Sequence, residues 1–213
     1  MNVSMMQEVG KWSHTYNLTL DNKTLYGTAN RRVALEKRKI TLTDENSKVI
    51  INIIEKGELS DFIEKLPIIS WFNSVTFLIE EEREIIGEIN APKSFIQEKF
   101  FININNFNFS CYYHRGGLKA DTYSIFKGNN QIGRLKREIK VKWNAHTYYG
   151  EFDYDTDYKY NAIFMILVDV LWHTEDININ ETIYQNGYEF YWGLDSRFGK
   201  KPNLNWKPKL KSE

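Results

Sequence analysis

The chain has 213 residues, with 28 Lys plus Arg against 28 Asp plus Glu, so its formal net charge is zero. The total therefore announces no strongly charged partner, and any electrostatic signal has to be local. Aromatics make up 15% of the residues, which excludes a disordered chain, and the single cysteine, Cys111, excludes both an intrachain disulfide framework and a cysteine zinc cluster. The longest unbroken apolar run, Ala162 to Val168, is far short of the roughly 20 residues of a membrane-spanning helix. Met1 to Lys11 has no basic-then-apolar signal pattern, so the expectation is a soluble protein of a reducing, cytoplasmic compartment. Ala is scarce, while Ile, Tyr, Phe and Trp are abundant, which favours strands over helices.

In chain order, Tyr16, Leu18 and Leu20 alternate with polar residues. Asp21-Asn22-Lys23 turns the chain, and Leu25-Tyr26-Gly27 resumes the strand pattern. Lys39 to Thr43 and Lys48 to Glu55 predict a hairpin around Asp44-Glu45-Asn46-Ser47. Leu59 to Leu66, stopped by Pro67, predicts one or two helical turns. Trp71 to Ile79 and Glu84 to Asn90 flank a charged turn. Lys99 to Ile104, Asn106 to Tyr113, Thr122 to Lys127, Gln131 to Trp143 and Tyr148 to Tyr154 add further strands. About ten short strands joined by turn signals predict an all-β sandwich or barrel.

The pattern changes at Tyr158 to Trp172, which reads YKYNAIFMILVDVLW. Asp155 and Asp157 suit a helix N-terminus, and Ala162, Ile163, Phe164, Ile166, Leu167 and Val170 leave no polar face. The alternative is a buried strand followed by a loop, but the stretch is longer than the roughly 4 to 8 residues usual for one, and a helix apolar all round must be buried, so these residues predict a helix enclosed by the strands. Tyr188 to Trp192 predicts a last strand. Residues 197–213, with Lys200, Lys201, Lys207, Lys209, Lys211, Pro202 and Pro208, predict an extended or disordered basic tail. Nothing divides residues 1–196, so one domain is expected there.

Ile85-Ile86-Gly87-Glu88-Ile89 before a Phe-rich segment, Ser124 to Asn130 before a basic strand, and Asp155-Thr156-Asp157 before the Ala162 to Asp169 stretch together resemble the tubby C-terminal-like superfamily. That group includes the tubby domain, the LURP-one-related proteins and the phospholipid scramblases. The resemblance covers about residues 12 to 175. It implies a closed antiparallel β-barrel of ten to twelve strands threaded by the hydrophobic helix. The family usually ends soon after that helix, whereas about 40 residues follow it here.

Catalytic signals are weak. Cys111 and His114 lie three apart, which on a strand puts them on opposite faces. Cys111 therefore reads as a small core residue, not a nucleophile. His14, His114, His146 and His173 are singletons without metal-ligand spacing. Asp153, Asp155 and Asp157 are spaced like the start of a calcium loop but lack its glycine, and read as helix-capping acids. No catalytic residue, metal or cofactor is expected.

Local charge says more. Along Arg134 to Lys142, the alternate residues Arg134, Lys136, Lys140 and Lys142 are cations, with Glu138 among them. Leu135, Ile139 and Val141 fill the other face, with Arg137 as the exception. Arg31, Arg32, Lys37, Arg38 and Lys39 form a second basic cluster. Tubby domains bind phosphoinositide head groups through such strand cations, so the resemblance implies docking to anionic phospholipid. The reading without it is that the cations merely blunt strand edges. The expectation is thus a non-enzymatic binding or scaffold module for anionic lipid, peripheral at the inner membrane face, or for a protein partner. The alternative is a protein-interaction component of a bacterial defence or toxin-immunity system. Nucleic acid is disfavoured because exposed aromatics between the cations are sparse.

Overall fold

The computed structural model describes residues 1–9, 13–30, 37–56, 74–92, 98–114, 121–140, 145–173, 203 and 205–210. Twelve strands form one closed antiparallel barrel: β1 (Asn2–Val9), β2 (Ser13–Leu20), β3 (Lys23–Asn30), β4 (Lys39–Thr43), β5 (Val49–Glu55), β6 (Val75–Glu81), β7 (Glu84–Ala91), β8 (Lys99–Ile104), β9 (Phe107–His114), β10 (Asp121–Lys127), β11 (Asn130–Lys140) and β12 (Ala145–Phe152). Each strand pairs with its neighbours in sequence, and β1 closes the ring against β12 with Val3 opposite Gly150 and Met5 opposite Tyr148. Helix α1 (Tyr158–Trp172) follows the last strand. The expected β-barrel with one apolar helix near its C-terminal end is what the chain forms.

The period-two pattern of the strands produces this wall directly. β2 buries His14, Tyr16, Leu18 and Leu20 and exposes Thr15, Asn17 and Thr19 between them. β3 continues the alternation with Leu25, Gly27 and Ala29 inward. Two turns have both central residues at positive φ, Glu82-Arg83 and Asn105-Asn106, the hairpin geometry whose twist matches that of the flanking strands. β1 is the strand the sequence reading did not anticipate. Its inward residues are Val3, Met5 and Gln7, which lack the aromatic and β-branched density of the other strands.

Barrel size explains the helix. About eight strands leave a lumen that side chains alone can fill. Twelve leave a wider lumen, and a helix of about 10–12 Å diameter fits such a space. Asn161 to Val170 are all buried, ten consecutive residues that cover every side of the helix. Phe164 stacks against Phe100 and Phe152 with ring centroids 6.3 Å away in each case, and meets Phe109 edge to face at 5.7 Å. On β3 the wall lies close to the helix: a β-carbon on Gly27 would stand 2.7 Å from Ile166 Cδ1, the tip of a side chain that would have to move aside. Asp157 caps α1 by accepting the Lys159 amide, 2.9 Å.

The barrel has two unlike ends. Tight turns join β2 to β3, β4 to β5, β6 to β7, β8 to β9 and β10 to β11 at the end where α1 begins. The other connections, including those of more than five residues, join strand ends at the opposite end, where α1 finishes. The predicted turns over Leu59 to Leu66 and the predicted strand over Tyr188 to Trp192 lie outside the described residues. Asn203 and residues 205–210 lie along the outside, bonded to Gln131 and Asp153.

Candidate functional site

Two groupings of polar residues stand out: a buried one inside the barrel and a basic one outside. The inner one is built around Asp169, fully buried in the last turn of α1. One carboxyl oxygen accepts Gln7 Nε2 at 2.7 Å and the Tyr16 hydroxyl at 2.8 Å. The other accepts the Tyr148 hydroxyl at 2.7 Å and faces His146 Nδ1 at 3.1 Å. These donors come from β1, β2 and β12, the strands on both sides of the closing seam. Burial first, and then the charge of Asp169, hold the Tyr16 and Tyr148 phenols well above their usual range, so both remain hydroxyl donors.

Around this centre lie the other polar groups of the interior. Gln7 Nε2 also contacts His14 Nδ1 at 3.3 Å. The Tyr123 hydroxyl meets His173 Nε2 at 2.5 Å, and Trp172 lies flat on Tyr123 at 5.5 Å. Arg137, the exception on the inward face of β11, is buried and grips Asp121 with Nε at 3.0 Å and a terminal nitrogen at 2.7 Å. Tyr113 donates to the same carboxylate at 2.7 Å. Three of the four scattered histidines, His14, His146 and His173, thus converge at one end of the lumen. The signal available in the sequence was Asp169, the one acid inside the apolar helix, together with polar residues at inward strand positions.

The chemistry of this cluster is that of a clasp. Every contact is between side chains of the protein, and no group of three or more metal-ligating residues exists among the described residues. Cys111 is also part of the core, between Phe100 on β8 and Ile125 on β10 in the strand register, and burial pushes its thiol well up. A thiol in that state is a poor nucleophile.

The outer grouping is the predicted basic one. Lys136 is exposed on β11, while Arg134 is half-buried and paired with Glu151 at 2.7 Å. Glu138 is exposed between the cations. Lys140 ends β11, opposite Ala145. Arg31, Arg32 and Lys142 lie outside the described residues. Lys37 and Lys39 are exposed at the start of β4. Arg38 is engaged instead: its Nε lies 3.1 Å from Glu55 and its guanidinium 5.1 Å from the centre of the Phe77 ring. Four strands, β12, β1, β2 and β3, stand between β11 and β4, so the two clusters do not share one face. They do lead to the same end of the barrel, where α1 finishes. Lys136 is opposite Tyr149 on β12, which pairs with Ser4 across the seam, and exposed Met6 follows two residues along β1.

The chain matches no protein-family profile, no curated protein and no solved structure.

Removing the centre of the clasp takes the Asp169 partner from four buried polar groups, Gln7, Tyr16, His146 and Tyr148. Asp169→Ala is therefore expected to lower unfolding stability by about 3 kcal/mol or more, read from urea midpoints, whereas a loss below about 1 kcal/mol would contradict the clasp. His114 supplies a pH dependence. Burial pulls its imidazole from 6.5 down to about 4, so the folded protein binds the proton less well than the unfolded chain. This contribution to stability is present in full above pH 6.5 and is lost as the pH falls towards 4. His114→Gln is expected to flatten the urea-midpoint profile across that window.

Proposed function

We propose that the chain is a non-enzymatic binding module of tubby or LURP-one-like type that docks on anionic phospholipid through the basic outer surface of the barrel. The observation that carries this reading is the outward face of β11 and its neighbours, where exposed Lys136 stands beside exposed Tyr149 and near exposed Met6. A cation next to an amphipathic ring and a flexible apolar side chain suits a lipid–water interface. Lys37 and Lys39 add exposed charge towards the same end of the barrel. The lumen, filled by α1 and its clasp, leaves binding to the outside.

Docking on a surface, not insertion, is the mode that fits. Among the described residues, no helix is long and apolar enough to cross a membrane. Outward strand positions such as Thr15, Asn17, Thr28, Glu88, Asn90 and Asn103 are exposed and polar, the reverse of the apolar outer band of a membrane-spanning barrel. A second reading, a protein partner as in a defence or toxin-immunity system, draws on exposed Val49, Ile85 and Phe107 at the tight-turn end.

Vesicle co-sedimentation separates the two. The protein is expected to sediment with phosphatidylserine or phosphoinositide vesicles at low salt, less at high salt, and not with neutral vesicles. Lys136→Glu/Lys37→Glu/Lys39→Glu is expected to weaken binding by about 100-fold, since each cation near an anionic surface contributes about 1 kcal/mol. No sedimentation at low salt overturns the lipid reading and leaves the protein partner.

A further inference from the structure

Asn203 and residues 205–210, here called the strap, lie against one corner of the barrel and are bonded there by polar groups; the Trp206 amide closes a turn on the Asn203 carbonyl at 3.0 Å, and the chain continues from Trp206 to Leu210 without a further turn. The Asn203 amide donates to the Gln131 side-chain oxygen at 3.0 Å, and the Trp206 indole N–H donates to the Gln131 main-chain carbonyl at 2.8 Å. The Lys209 amide donates to Asp153 Oδ1 at 2.8 Å, and the Lys209 carbonyl accepts the Tyr154 amide at 3.2 Å. The Lys209 ammonium lies 3.8 Å from Asp153 Oδ2. The receiving ledge is thus Gln131 at the start of β11 together with Asp153 and Tyr154 just past β12.

The two sides are unequally built. The ledge belongs to the barrel: the Asp153 amide donates to the Ile132 carbonyl, its own carbonyl is held by Thr156, and its side chain is 2% exposed. Among the described residues, both contacts of its carboxylate come from Lys209. The strap itself is superficial. Asn203, Asn205, Lys207, Lys209 and Leu210 are exposed, and only Trp206 and Pro208 are half-buried. A contact made by a few hydrogen bonds and one indole, without a buried apolar anchor, belongs to the low-stability end of a protein's range. Pro208 keeps the segment extended, with less chain entropy to lose on docking.

We propose that this ledge is a peptide-binding site which the chain fills with its own strap. An extended segment of another protein, with a tryptophan three residues before a lysine, competes for the same place. Recognition has three parts: an indole N–H on a main-chain carbonyl, a main-chain pairing at Tyr154, and a lysine amide and ammonium on a recessed carboxylate. This combines backbone pairing for affinity with side-chain contacts for choice of sequence. The strap belongs to the same chain as the ledge, so the contact is intramolecular and a competitor faces its effective concentration. A competitor must bind better than the strap or arrive when it is open.

The test uses the full chain and a fluorescent peptide of sequence NLNWKPKL, residues 203–210, read by anisotropy. Trp206→Ala/Lys209→Ala weakens the internal strap and leaves the ledge intact. This variant is expected to bind the peptide at least ~10-fold more tightly than the wild type, whose own strap competes. The same peptide with tryptophan replaced by alanine is expected to lose binding, a control that depends on no protein substitution. Adding Gln131→Ala, and separately Asp153→Asn, to the strap variant is expected to weaken binding again. Failure of the strap variant to bind, with its circular dichroism and urea midpoint intact, overturns the proposal. So does equal binding to wild type and variant, or binding indifferent to the tryptophan.

Discussion

A helix that is apolar on every side cannot rest on a surface; it has to be surrounded, and it has to be fixed in place by something more directional than apolar contact. Burial of Ala162 to Val168 supplies the driving force but is nearly indifferent to rotation and sliding of the helix. Asp169 supplies the direction. Its carboxyl group takes hydrogen bonds from β1, β2 and β12, so the helix is tied to the seam where the ring of strands closes. The same contacts hold the seam itself, because the first two strands and the last share one buried anchor. Strand pairing, helix position and closure are therefore three aspects of one arrangement.

That arrangement divides the molecule by role. The lumen is committed to structure: stacked rings along α1, the Asp169 clasp, and the pairing of Arg137 with Asp121. A buried polar network of this kind fixes one packing among many similar apolar ones. Recognition is left to the outside, where polar outward strand positions, the exposed lysines of β11 and β4, and the ledge under the strap present distinct chemistries. In the two proposals the lysines serve a diffuse charged surface and the ledge a short sequence. Lys136 shares β11 with the ledge's Gln131, whereas Lys37 and Lys39 stand four strands away.

Much of the fold is legible from periodicity. The alternation of Tyr16, Leu18 and Leu20, the turn residues around Asp44, and the all-apolar stretch before Trp172 specify hairpins and an enclosed helix. β1 escaped because Ser4, Met6 and Gln7 give no strong strand propensity; its place is set by tertiary pairing with β2 and β12. Arg137 and the histidines were visible as residues, but their meeting was not. His14, His146 and His173 are far apart in the chain, and only barrel closure brings them together. For the same reason the contact of Lys209 with Asp153 could not be read from a lysine- and proline-rich segment, whose composition alone suggests a solvated tail.

Hydrogen exchange followed by mass spectrometry on the full chain tests the dependence of closure on the clasp most directly. Amides of α1, β1 and β12 are expected to open as a single cooperative unit, with a shared protection that falls equally in all three when Asp169 is changed to Asn. Exchange of the α1 amides that accelerates alone, with β1 and β12 unaffected by the substitution, would show that the seam closes without the helix and would contradict the account.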